Sequence, residues 1–84
     1  MSKWEKLLRR ILYLSNDIRF EELRKVLKEY GYAMHAPKGG SSHCSFRKKG
    51  YPTITVPRHD PIKRVYVEMV RKVVEEAEEH ENLG

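Results

Sequence analysis

The chain has a single cysteine, Cys44, so no disulfide can form within it, a usage that fits a reducing, cytoplasmic setting. No apolar run approaches the ~18 residues of a membrane span, and the first residues lack a signal-peptide pattern. There is no internal repeat and no low-complexity segment. No cluster of carboxylates or cysteines has metal-ligand spacing, so neither a metal nor another cofactor is expected. Length is scarce as well. At 84 residues the chain reads as one domain, 1–84, and a domain of this size buries only roughly 60% of its unfolded surface. So thin a core leaves no room for a deep substrate cavity. Function is therefore expected on a surface, with a large partner or a polymer as ligand.

Acidic residues are scarce in the middle of the chain, and cations are missing from its end. Residues 32–72 carry 9 cations and 2 anions, residues 73–84 carry 5 anions and no cation, and the formal net charge is +5. A basic centre is the electrostatic footprint of a nucleic-acid binder. Ordinary solubilising charge is the alternative.

Two helices open the chain. Trp4, Leu7, Leu8, Ile11 and Leu12 recur at helical spacing, which predicts an amphipathic helix over 2–14. Trp4 reads as a packing anchor, with base stacking as its rival role. Ser15, Asn16 and Asp17 break the pattern, because their side chains compete for the backbone. A second helix is predicted over 20–30, with Phe20, Leu23, Val26, Leu27 and Tyr30 facing inward. Glu21 and Glu22 suit the dipole of its first turn, and Gly31 suits its C-terminal stop. Residues 32–36 form a short strand candidate, on which His35 reads as an edge or solvated histidine.

The stretch from Pro37 to Val56 carries the chemistry. Gly39, Gly40, Ser41 and Ser42, with Lys38, offer backbone amides, hydroxyls and a cation, a composition that suits either an anion cradle or a plain hairpin loop. The strand after this loop alternates. His43, Ser45 and Arg47 share one face, Cys44 and Phe46 the other. On the next strand Thr53 and Thr55 join the polar set, and Ile54 and Val56 the apolar set. Cys44 and His43 thus point apart, which argues against a thiol–imidazole pair. Arg47, Lys48 and Lys49 precede a turn through Gly50, Tyr51 and Pro52, where they meet phosphates, an acidic partner, or only solvent.

Asp60 and Pro61 read as the N-cap and first residue of a last helix. Its expected apolar stripe is Ile62, Val65, Tyr66, Met69, Val70, Val73, Val74 and Ala77. The charges on this helix oppose its dipole. Lys63 and Arg64 lie at its start and Glu75, Glu76, Glu78 and Glu79 at its end, each disfavoured by ~0.3–1 kcal/mol. Cations at a helix N-terminus, with Arg58 and His59 just before, instead suit a phosphate. The acidic end reads as a fraying, solvated tail. The order α-α-β-β-β-α predicts an α+β two-layer sandwich, its three-stranded antiparallel sheet covered by helices on one face.

The run Ser42-His43-Cys44-Ser45-Phe46-Arg47-Lys48-Lys49-Gly50, then Thr53-Ile54-Thr55-Val56-Pro57, then His59 and a helix with Lys63 and Tyr66-Val67, resembles the HicA-type mRNA interferase toxins. The likeness covers 18–74. The helix over 2–14 looks like an extension found in some members, and 75–84 forms the acidic tail. The family's glycine-serine-histidine signature maps its serine onto Ser42 and its histidine onto His43. Its glycine falls on Ser41, with Gly40 one residue earlier. The resemblance implies a fold like that of double-stranded-RNA-binding domains, metal-independent cleavage of mRNA through one histidine, and inhibition by a HicB antitoxin that covers it. It also implies a monomer alone and a hetero-oligomer with the antitoxin.

Chemistry agrees with that implication. Histidine as a residue type titrates near working pH and can take the proton of a 2′-hydroxyl as it attacks the adjacent phosphorus. His43 is the expected base. Lys38, Ser42, Arg47, Lys48, Lys49, Arg58, His59, Lys63 and Arg64 are the expected RNA contacts, and His59 is a candidate for protonating the leaving oxygen. Two rivals share the charge pattern: a non-catalytic RNA-binding module, and a domain that binds an acidic protein.

Overall fold

The computed structural model describes residues 2–36 and 43–83, with side chains through residue 78. Its elements are α1 (Lys3–Leu12), α2 (Phe20–Glu29), β1 (Ala33–His35), β2 (His43–Arg47), β3 (Ile54–Pro57) and α3 (Arg64–Leu83). The strands form one antiparallel sheet in the order β1-β2-β3. This is the α+β arrangement that the residue pattern predicts. The loop reading built on Lys38 and Ser42 lies outside the described residues.

The Ser2 hydroxyl starts α1 by accepting the Glu5 amide at 3.1 Å. The helix stops at Leu12, two residues short of the expected end. Tyr13 caps it, and Leu14 turns the chain with φ of 54°. Arg10 then ties α1 to the connection beyond it and to α2. Its guanidinium donates to the Glu22 carboxylate at 2.6 Å and to the Asp17 carbonyl and carboxylate at 3.0 Å each. The Ser15 hydroxyl and Arg10 hold the Asp17 carboxyl below its ordinary value. Burial pushes Glu22 upward, but Arg10 and the Arg19 amide outweigh it, and the net direction is down.

At the end of α2 the chain reverses as expected. Gly31 has φ of 94°, the Tyr32 amide donates to the Leu27 carbonyl at 2.9 Å, and the Gly31 amide to that of Lys28 at 3.1 Å. This pair of bonds satisfies two orphan carbonyls of the helix. Helices α2 and α3 cover one face of the sheet. Cys44, Phe46, Ile54 and Val56 form the sheet's contribution to the core, and Leu23, Val26, Leu27, Val67, Val70 and Val74 come from α2 and α3. Ile11 of α1 is fully buried in the same cluster, and α1 packs on α3.

The last helix departs from expectation in three ways. It starts at Arg64, not at Pro61, because Asp60 is engaged elsewhere: its carboxylate accepts the Phe20 amide at 2.8 Å, at the N-terminus of α2. The inward arc follows Val67, Val70 and Val74, with Tyr66 and Val73 at its margin. Val65 and Met69, expected in the stripe, lie round the helix from that arc and are 51% and 43% exposed. The acidic segment continues the helix through Leu83.

Candidate functional site

The open face of the sheet is set by strand parity. Ser45 sits between His35 on β1 and Thr55 on β3, and His43 lies across from Pro57 at the end of the β2–β3 ladder. His43 is exposed, whereas Cys44 is 1% exposed and faces the helices. The imidazole and the thiol are therefore on opposite sides of the sheet, and no nucleophilic pair can form between them. Cys44 serves as a small apolar core residue.

His43 lines an open cleft of about 300 Å³ with Pro57, Arg58, His59, Pro61, Lys63 and Tyr66. The cleft exists because the connection between β3 and α3 is pinned at several points. The His59 amide donates to the Pro57 carbonyl at 2.9 Å, a three-residue turn. Asp60 holds the Phe20 amide, and the Ile62 amide donates to the Ile18 carbonyl at 2.7 Å. Ile62 is buried beneath. The Lys63 carbonyl then accepts from the amides of Tyr66 and Val67, which begins α3.

This geometry concentrates positive potential. The first turn of α3 holds no acidic residue, so Lys63 and Arg64 add their charge to the positive end of the helix. Arg64 shares its charge with Glu68, 3.6 Å away. The Arg58 guanidinium lies 5.5 Å from the centre of the Phe20 ring, a cation–π contact that anchors its stem to the core. Asp60 is the one carboxylate within this connection, and the α2 amide occupies it. The cleft is small and open for a small-molecule pocket, where ~300–1,000 Å³ and enclosure are usual. It suits one phosphate of a polymer that continues past both ends.

Of the residues expected at the site, His43, Arg58, His59 and Lys63 come together here, with Arg64 on the adjoining turn. Arg47, Lys48 and Lys49 do not. They lie at or beyond the other end of β2, about 13 Å of strand away from His43. Arg47 and Lys49 are exposed there. Lys48 is occupied: its ammonium stands 4.6 Å from the centre of the Tyr51 ring and 5.8 Å from that of Tyr32. Its stem crosses Gly31, where an added Cβ would lie 3.4 Å from the Lys48 Cε. Burial raises the pKa of Tyr32 beneath it, with smaller contributions from Glu76 and Tyr51.

Tyr66 belongs to the core stripe by its spacing, yet it also forms a cleft wall. Its position three residues after Lys63, one helical turn on, is the signal that places it there.

A family model described as the HicA toxin of bacterial toxin-antitoxin systems matches residues 20–78. The match takes in α2, the whole sheet, the cleft and most of α3, and it begins after α1. No curated protein and no solved structure matches the chain.

Proposed function

Because the chain belongs to the HicA toxin family, we propose that it is the toxin half of a toxin–antitoxin pair and cuts mRNA as an endoribonuclease, with His43 as general base. His43 takes the proton of a ribose 2′-hydroxyl, which attacks the adjacent phosphorus. Lys63, Arg58 and the N-terminus of α3 stabilise the charge that grows on the phosphate oxygens. No metal or other cofactor takes part in this scheme. Arg47 and Lys49 extend the basic track along the strand to neighbouring phosphates. An antitoxin of the HicB type covers His43 and the cations of the same face, so that toxin alone is a monomer and the inhibited form a hetero-oligomer in the cytoplasm.

One observation carries this reading: His43 is exposed on the open sheet face, in a cleft it shares with Arg58, His59 and Lys63. The test is His43→Ala. The variant should lose cleavage of purified RNA by about 10²–10⁴-fold and stop inhibiting growth, while its RNA affinity stays near that of the parent. Unchanged cleavage by this variant removes His43 from the chemistry. No cleavage by either protein, with tight binding by both, points to a non-catalytic RNA-binding module.

A further inference from the structure

The connection between β3 and α3 brings a second imidazole to the cleft. His59 lines it together with His43. The backbone links the two closely. Pro57 pairs with His43 across the β2–β3 ladder, and the His59 amide is bonded to the Pro57 carbonyl. Paired residues on adjacent antiparallel strands have Cα atoms roughly 4.5–5.5 Å apart. Two residues of chain add at most about 7 Å. The Asp60 carboxylate on the α2 amide and the Ile62–Ile18 bond hold the connection just beyond His59. His59 is thus borne on a tethered segment beside the base, not on a free loop.

We propose that His59 is the general acid of the same reaction, delivering a proton to the leaving 5′ oxygen. The inference rests on the ribonuclease reading above. The step balances. His43 removes the 2′-hydroxyl proton, the O2′–P bond forms and the P–O5′ bond breaks. The electron pair left on O5′ takes the proton of the His59 imidazolium. The products are a 2′,3′-cyclic phosphate and a 5′-hydroxyl, and proton exchange with solvent resets both rings.

The other groups around the cleft fit this task less well. An acid works best with a pKa near the working pH. By residue type a phenol and a primary ammonium are weaker acids than an imidazolium, and on the cleft wall Tyr66 and Lys63 serve as binding groups. A guanidinium is a poor proton donor by residue type and binds phosphate instead, the role left to Arg58. The Asp60 carboxylate is committed to α2. His35 lies one strand away, opposite Ser45, and is not part of the cleft wall.

The experiment compares two RNA oligonucleotides, one ordinary and one in which sulfur replaces the bridging O5′ at a single linkage. A thiolate leaves without needing a proton. Using the full chain, His59→Ala should lose about 10²–10⁴-fold on the ordinary linkage and recover most of that loss on the sulfur linkage. His43→Ala should lose rate on both, and His35→Ala on neither. An His59→Ala protein that cuts the ordinary linkage at the parent rate overturns the assignment. So does an equal loss on both linkages, which makes His59 a binding residue. Should His59→Ala misfold by circular dichroism, His59→Asn takes its place in the same comparison. A wild-type rate for His43→Ala would sink the base assignment separately, and a parent protein that cuts neither linkage sinks both proposals.

Discussion

Replacing Asp60 by alanine probes the joint between fold and cleft. Its carboxylate accepts the Phe20 amide at 2.8 Å, one of the orphan donors at the start of α2. A hydrogen bond to a charged acceptor contributes roughly 1.5–3 kcal/mol, and loss of a helix N-cap acceptor costs roughly 0.5–2 kcal/mol. Asp60 is largely exposed, so water can replace part of the bond. We expect Asp60→Ala to cost about 1–2 kcal/mol. For a domain of this size that lowers Tm by about 4–8 °C per kcal/mol. Asp60→Asn keeps an oxygen acceptor but loses the charge, and should cost about half as much. Urea denaturation followed by tryptophan fluorescence measures both, with the slope m unchanged if the native state keeps its compactness. The same variants should lose cleavage activity beyond their loss of stability, because the tether next to His59 is released. Stability of Asp60→Ala equal to that of the parent would mean that the Phe20 amide is satisfied without the carboxylate, and that Asp60 is no tether.

Acid should weaken the junction of α1 and α2. Asp17 and Glu22 are held below their ordinary values, so their contribution is complete at neutral pH and is lost as pH falls below the ordinary carboxylate range and through the lowered folded-state values. Arg10→Ala should be less stable than the parent at pH 7, and the gap should close in acid; a gap that widens there contradicts the sign. Ile11→Ala should cost about 2–5 kcal/mol by calorimetry, because that side chain is fully buried, and a cost below about 1 kcal/mol would detach α1 from the core. Lys63→Ala should lower RNA affinity and reduce the salt slope of binding by about 1, whereas Lys48→Ala should leave that slope alone and cost about 0.5–1 kcal/mol of stability. The reverse pattern would move the RNA track to the hairpin.

The parity of β2 is legible in the sequence because alternation is a local property: His43 out and Cys44 in come from the strand alone. The stop at Gly31 is legible for the same reason, since a positive φ there needs nothing distant. The start of α3 is not. Asp60 and Pro61 fit a local helix signal, but the carboxylate is claimed by an amide 40 residues earlier in the chain. Long-range hydrogen bonds of this kind leave no periodic trace. Lys48 shows the same limit, since its partners Tyr32 and Tyr51 meet it only after the hairpin closes over Gly31. The difference in the α3 stripe has a related cause. With the helix start placed three residues early, Ile62 counts as part of it and draws the expected stripe toward Val65 and Met69, leaving out Val67, which is fully buried.

The place of α1 has a practical bearing on how fragments of this protein are cut. The stretch recognised as HicA begins at Phe20, yet the buried core also takes in Leu7 and Ile11 of α1. A fragment trimmed to the recognised stretch would open to water the side of α3 on which α1 packs and would strand Glu22 without Arg10. Such a piece should be prone to self-association through that bared apolar side, and its behaviour would say little about the full chain.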